Sequence, residues 1–105
     1  VYPDGYSLLI QEGILRASHR NKNDSPSHIN PDEIYQFNID LWSTSYMIPT
    51  GHKLRLEISS SNFPRFARNL NNGEPFGMSS DIVIADQKIY FGEKYPSRLL
   101  LPVIR

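Results

Sequence analysis

The sequence contains no cysteine. That excludes disulfide staples, thiolate zinc sites, iron–sulfur ligation and a cysteine nucleophile. Neither charge is in excess: 11 basic and 11 acidic residues give a formal net charge of zero. A domain that reads phosphates normally carries a basic surplus, so nucleic acid is not an expected partner. No run of 18 apolar residues occurs, so a membrane is not an expected partner either. Residues 1–15 lack a basic stretch followed by an apolar run. No signal peptide is visible there, and a cytoplasmic location is the expectation. Histidine is scarce. His19, His28 and His52 each stand without a second histidine two to four residues away, so no local metal motif forms. The serine-hydrolase elbow Gly-x-Ser-x-Gly is missing as well: Gly5-Tyr6-Ser7-Leu8-Leu9 and Gly77-Met78-Ser79-Ser80-Asp81 both lack the second glycine. No catalytic, cofactor-binding or metal-ligating residue is assigned, and no cofactor is expected.

With 105 residues the chain holds one domain, residues 1–105. Helical periodicity is also lacking. No segment keeps a 3.6-residue apolar period over ten residues, and eight prolines and six glycines interrupt the chain often. What is present is alternation. Tyr35, Phe37, Ile39 and Leu41 alternate with Gln36, Asn38, Asp40 and Trp42; Leu54, Leu56 and Ile58 alternate with Lys53, Arg55 and Glu57. Successive strand side chains point to opposite faces, so each segment predicts a strand with one apolar face, over 33–43 and 52–60. Further strands are expected over 6–10 and 14–19, joined through Gln11-Glu12-Gly13 with the glycine at positive φ, and over 82–91 and 98–104. Pro31 predicts a turn at Asn30-Pro31-Asp32-Glu33, and Pro49 with Gly51 one at Ile48-Pro49-Thr50-Gly51. The pattern predicts an all-β chain, a sandwich, with Phe37, Ile39, Leu54, Leu56 and Ile58 buried.

Several residues have two readings. His52 follows Gly51 at a strand start, where a structural hydrogen bond is the first expectation and catalysis the second. Asp32-Glu33 is an adjacent carboxylate pair, but neighbouring strand residues point apart, so a turn and strand-start role is expected. Asn23-Asp24-Ser25 fits a glycosylation sequon, though Pro26 follows it and secretion is unsupported. Tyr2, Tyr6, Tyr46, Tyr90 and Tyr95 fit a sugar-binding platform, but their scatter favours packing at strand ends. The densest unusual stretch runs from Ser59 to Asn69. Its Asn62, Phe63, Arg65, Phe66, Arg68 and Asn69 form a candidate loop that presents aromatic and guanidinium groups to a ligand or a neighbouring domain. The alternative, favoured by composition alone, is that the phenylalanines cap the core and the arginines satisfy nearby oxygens.

The string Gly51-His52-Lys53-Leu54-Arg55-Leu56-Glu57-Ile58-Ser59-Ser60-Ser61-Asn62-Phe63-Pro64-Arg65-Phe66-Ala67-Arg68-Asn69 resembles a signature of the X-Pro dipeptidyl-peptidase and cocaine-esterase (CocE/NonD) hydrolases. Asp4-Gly5 with Gly13-Ile14-Leu15-Arg16-Ala17 is similar to the family's Asp-Gly then Gly-x-Leu-Arg hairpin. Tyr35 to Leu41 followed by Ser43-Thr44-Ser45-Tyr46, and Pro96-Ser97-Arg98-Leu99-Leu100-Leu101-Pro102, resemble two further family segments. Lys53 departs from the pattern, standing where arginine is common.

The resemblance implies the C-terminal jelly-roll (galactose-binding-like) β-sandwich of a serine hydrolase, here an incomplete portion of it. In that family an α/β-hydrolase domain carries a Ser-Asp-His triad and works by acyl transfer on esters or X-Pro peptides. The triad lies upstream of every matched motif, so none of its residues is placed on this chain. His52 belongs to the glycine-histidine motif and not to the triad. The implied role is to support the hydrolase domain and wall its substrate pocket, with that upstream domain as partner. A stand-alone carbohydrate- or ligand-binding module is the alternative, and a homodimer is the expected state of the isolated chain.

Overall fold

The computed structural model describes residues 1–21 and 25–104. Asn23 and Asp24 of the sequon lie outside the described residues. The expected all-β jelly-roll sandwich is not what the chain forms. Among the described residues there is no strand and no sheet, and the one regular element is a single 3₁₀ turn, η1, at Ala17–His19. The sandwich, the strands over 33–43, 52–60, 6–10, 14–19, 82–91 and 98–104, and the sheet faces built on them are corrected accordingly. The reason lies in what alternation can specify. A two-residue period decides which side chains share a side of an extended segment. A strand also needs a neighbour that accepts and donates a ladder of backbone bonds.

Here cross-chain pairing is isolated. The Val1 amino group donates to the Lys53 carbonyl at 2.6 Å, and the Lys53 N–H donates back to the Val1 carbonyl at 2.9 Å. The Val83 N–H donates to the Leu70 carbonyl at 2.9 Å. Among the described residues no ladder extends from either pair. The segment expected as a strand over 14–19 instead ends in η1, where the His19 N–H meets the Arg16 carbonyl and the Arg20 N–H meets that of Ala17. The Arg20 guanidinium ties this turn to Ser27, donating to its carbonyl at 2.5 Å, and lies over the Tyr35 ring at 4.6 Å.

Burial is corrected with the sheet. No described side chain is fully buried. Phe37, Ile39, Leu54, Leu56 and Ile58, expected inside, are all exposed, Leu56 at 53%. The chain leaves 10153 Å² accessible, against roughly 6,000 Å² for a folded monomer of this mass. Its radius of gyration is 16.7 Å, against about 13 Å for a compact chain of this length. The apolar sides exist, but no second layer covers them.

The turns are well defined, with two adjustments. At the second proline the closing bond runs from the His52 N–H to the Pro49 carbonyl at 3.2 Å, so the turn sits one residue later than expected, with Gly51 at φ 85°. Asp32 takes φ 63° after Pro31, a left-handed position that aspartate tolerates. Gly13 is not among the positive-φ glycines. Its role is close approach: a Cβ there would collide with the Asp40 carbonyl and press on the Leu41 side chain. That contact brings the 11–13 segment against residues 40–43, where the Gln11 side-chain amide also donates to the Ser43 carbonyl at 3.1 Å.

Candidate functional site

The loop from Asn62 to Asn69 is anchored at its start and open at its end. The Phe66 N–H donates to the Asn62 carbonyl at 2.9 Å, closing a turn around Phe63, Pro64 and Arg65. The anchor comes from the 11–13 segment. The Asn62 side-chain amide donates to one Glu12 carboxylate oxygen at 2.5 Å, and the Arg65 guanidinium pairs with the other. Glu12 is the least exposed partner, its side chain 18% accessible, so this charge-assisted pair is shielded from water on one side. The Arg65 guanidinium also lies 5.4 Å from the Phe66 ring centre. With Asn62 and Arg65 held, Phe63 projects into solvent at 67% exposure and Phe66 is half-buried. Four of the six candidate residues are thus brought together, and Glu12, which organises them, escaped the sequence reading. Its only sequence signal is its place beside Gly13, fifty residues away from the loop.

Arg68 and Asn69 point elsewhere. They line a cleft of about 180 Å³ together with Arg16 and the 70–79 segment. The Arg16 guanidinium stands 5.7 Å over the Phe76 ring. Asparagine side chains shape the rim: Asn69 Oδ1 accepts from the Asn71 N–H, Asn72 Oδ1 from the Glu74 N–H, and Asn72 Nδ2 donates to the Asp81 carbonyl.

His52 forms a separate nook with Tyr2, Leu8, Tyr46 and Pro49. Its ring centre is 4.5 Å from that of Tyr2, in an edge arrangement. Its Nδ1 has only a long 3.5 Å contact to the Thr50 carbonyl, and its enclosed Nε2 has no partner among the described residues. The Tyr2 phenol is raised above its ordinary value, first by the hydrogen bond to Tyr46. The five tyrosines do not form one platform: Tyr2 meets Tyr6 edge-on and Tyr46 through its hydroxyl, while Tyr90 and Tyr95 form a separate edge pair. Asp32 and Glu33 do not act as a pair either. Glu33 instead accepts a hydrogen bond from the Tyr35 hydroxyl. No group of three or more metal-ligating side chains occurs among the described residues, and no helix there is long and apolar enough to cross a membrane.

A further residue missed by the sequence reading is Trp42. It takes φ 60°, rare for a bulky side chain, and is 78% exposed. Its N–H donates to Asp40 Oδ1 at 2.7 Å, a local bond that supports the left-handed backbone.

Comparison with known proteins places these features. Residues 1–100 match the X-Pro dipeptidyl-peptidase C-terminal non-catalytic domain, and the chain belongs to that family. It is similar to cocaine esterase of Rhodococcus sp. (strain MB1 Bresler), with 35% identity over 107 residues that cover all of this chain and 19% of that protein. A candidate serine esterase of Mycobacterium bovis is 30% identical over 122 residues, covering all of this chain and 18% of that protein. Its Mycobacterium tuberculosis (strain CDC 1551) counterpart matches to the same extent. The chain thus spans under a fifth of the length of these relatives. No solved structure matches it.

Proposed function

We propose that this chain is the non-catalytic portion of a serine hydrolase that acts by acyl transfer on an ester or X-Pro peptide, and that it supports the catalytic domain and its substrate pocket. The observation that carries this reading is the match of residues 1–100 to a domain described as non-catalytic, in a chain whose relatives are named as esterases. The anchored loop supplies a physical means. Glu12 holds Asn62 and Arg65, and the held turn offers Phe63 and Phe66 as apolar anchors to a neighbouring domain. Exposed aromatic side chains next to a guanidinium suit such an interface better than open water.

Labelling the whole protein with a serine-reactive phosphonate and mapping the modified peptide tests the division of labour. The adduct is expected outside residues 1–105. An adduct on Ser7, Ser79 or any other serine of this chain would overturn the reading. The supporting role is tested by Phe63→Ala and Glu12→Gln, which should lower the temperature at which the whole protein loses esterase activity. An unchanged inactivation temperature in both variants would remove the loop from that role.

A further inference from the structure

We propose that the cleft between Arg16 and Arg68 binds a small monocarboxylate carrying an apolar or aromatic group. Its walls are rich in donors. Neither guanidinium has an ion-pair partner among the described residues. Asn69 uses its carbonyl oxygen on the Asn71 N–H, which leaves its amide nitrogen to donate. Ser79 Oγ accepts from the Asp81 N–H at 3.0 Å, which leaves its hydroxyl proton to donate. The single carboxylate in the cleft is Glu74. Two guanidinium charges against one carboxylate leave a net local charge of one positive unit, which suits a monoanion. A phosphate dianion would meet repulsion from Glu74 and would make no use of the ring beside it.

The apolar half of the ligand is set by Phe76. Its ring is 70% exposed, and Arg16 stands over it. An apolar group packed against the exposed part of the Phe76 ring would lie beside that guanidinium while its carboxylate reaches Arg68. The volume agrees. A cleft of about 180 Å³ is well above the roughly 10–15 Å³ that a single water needs, and leaves room for one ring and its carboxylate. The site shares no residue with the Glu12 anchor, so it stands apart from the supporting role proposed above.

Equilibrium dialysis of the whole protein with labelled benzoate, at fixed ionic strength, tests the proposal without reference to activity. A second benzoate site elsewhere in the protein would not mask the result, because stoichiometry is compared. The double variant R16Q/R68Q is expected to bind one equivalent less than the parent. Arg68→Gln alone should weaken that equivalent about tenfold, as loss of a charge-assisted hydrogen bond would. Glu74→Gln should tighten it, and acetate should bind more weakly than benzoate. Thermal unfolding of each variant shows whether the fold is kept; Phe76→Ala, which touches no charge, gives an independent weakening. Equal stoichiometry and affinity in the parent and the double variant would overturn the proposal. So would acetate binding as well as benzoate, or phosphate displacing benzoate at equal concentration.

Discussion

Glu33 is fully exposed, yet its carboxyl titrates below the ordinary glutamate range. The Tyr35 hydroxyl bonded to it is the main cause and Asn30 the second. A carboxyl lowered on folding contributes stability above its unfolded value, and that contribution is lost as the pH falls through the lowered folded value. Tyr35→Phe is therefore expected to return the Glu33 titration, followed by carboxyl NMR, toward that of an unfolded peptide. A Tyr35→Phe variant with an unshifted titration would contradict the assignment. Gly13 makes a second test at this scale. Gly13→Ala forces a methyl into the Asp40 carbonyl, and overpacking of this kind costs about 1–3 kcal/mol. The cost should appear as a lower denaturant midpoint of the whole protein; an unchanged midpoint would show that the 11–13 and 40–43 segments do not meet.

At the scale of the element, the segment over 52–60 shows how much was legible in the sequence. Its alternation puts Arg55 and Glu57 on one side, and the structure pairs them at 3.5 Å. The two proline turns were legible, the one at Pro49 to within one residue, because proline and glycine act on φ within one or two residues, whereas the hairpin expected at Gln11-Glu12-Gly13 did not form. The ladders were not there to find, since a partner strand is a property of distant chain. The Glu12–Arg65 anchor was half visible for the same reason: Arg65 lies in the unusual 59–69 stretch, but its partner Glu12 is more than fifty residues away and nothing local marks it. Leu56 and Arg55 test whether the apolar side is covered in the whole protein. If it is, Leu56→Ala should cost about 2–5 kcal/mol there, and Arg55→Ala roughly half a kcal/mol or less. Equal losses in thermal or denaturant unfolding would mean that this side faces water, as it does here at 53% exposure.

At the scale of the whole molecule, the excess of accessible surface and the absence of a buried core among the described residues describe a chain whose apolar sides lack cover. A zero net charge also removes the long-range repulsion that would keep copies apart. The isolated chain is therefore expected to associate, eluting with a mass of a dimer or more by light scattering coupled to size exclusion, and to show no ester or X-Pro anilide turnover. A monomer of 12.1 kDa at high micromolar concentration would contradict the first expectation, and turnover lost in Ser7→Ala or Ser79→Ala the second. The central claim is that this non-catalytic domain is completed by the rest of its protein. Amide hydrogen exchange over 35–41 and 52–60, compared between the isolated chain and the whole protein, tests it most directly. The account predicts fast exchange in the isolated chain and strong protection in the whole protein. Equal, strong protection in both would show that the chain folds its own core and would contradict the account.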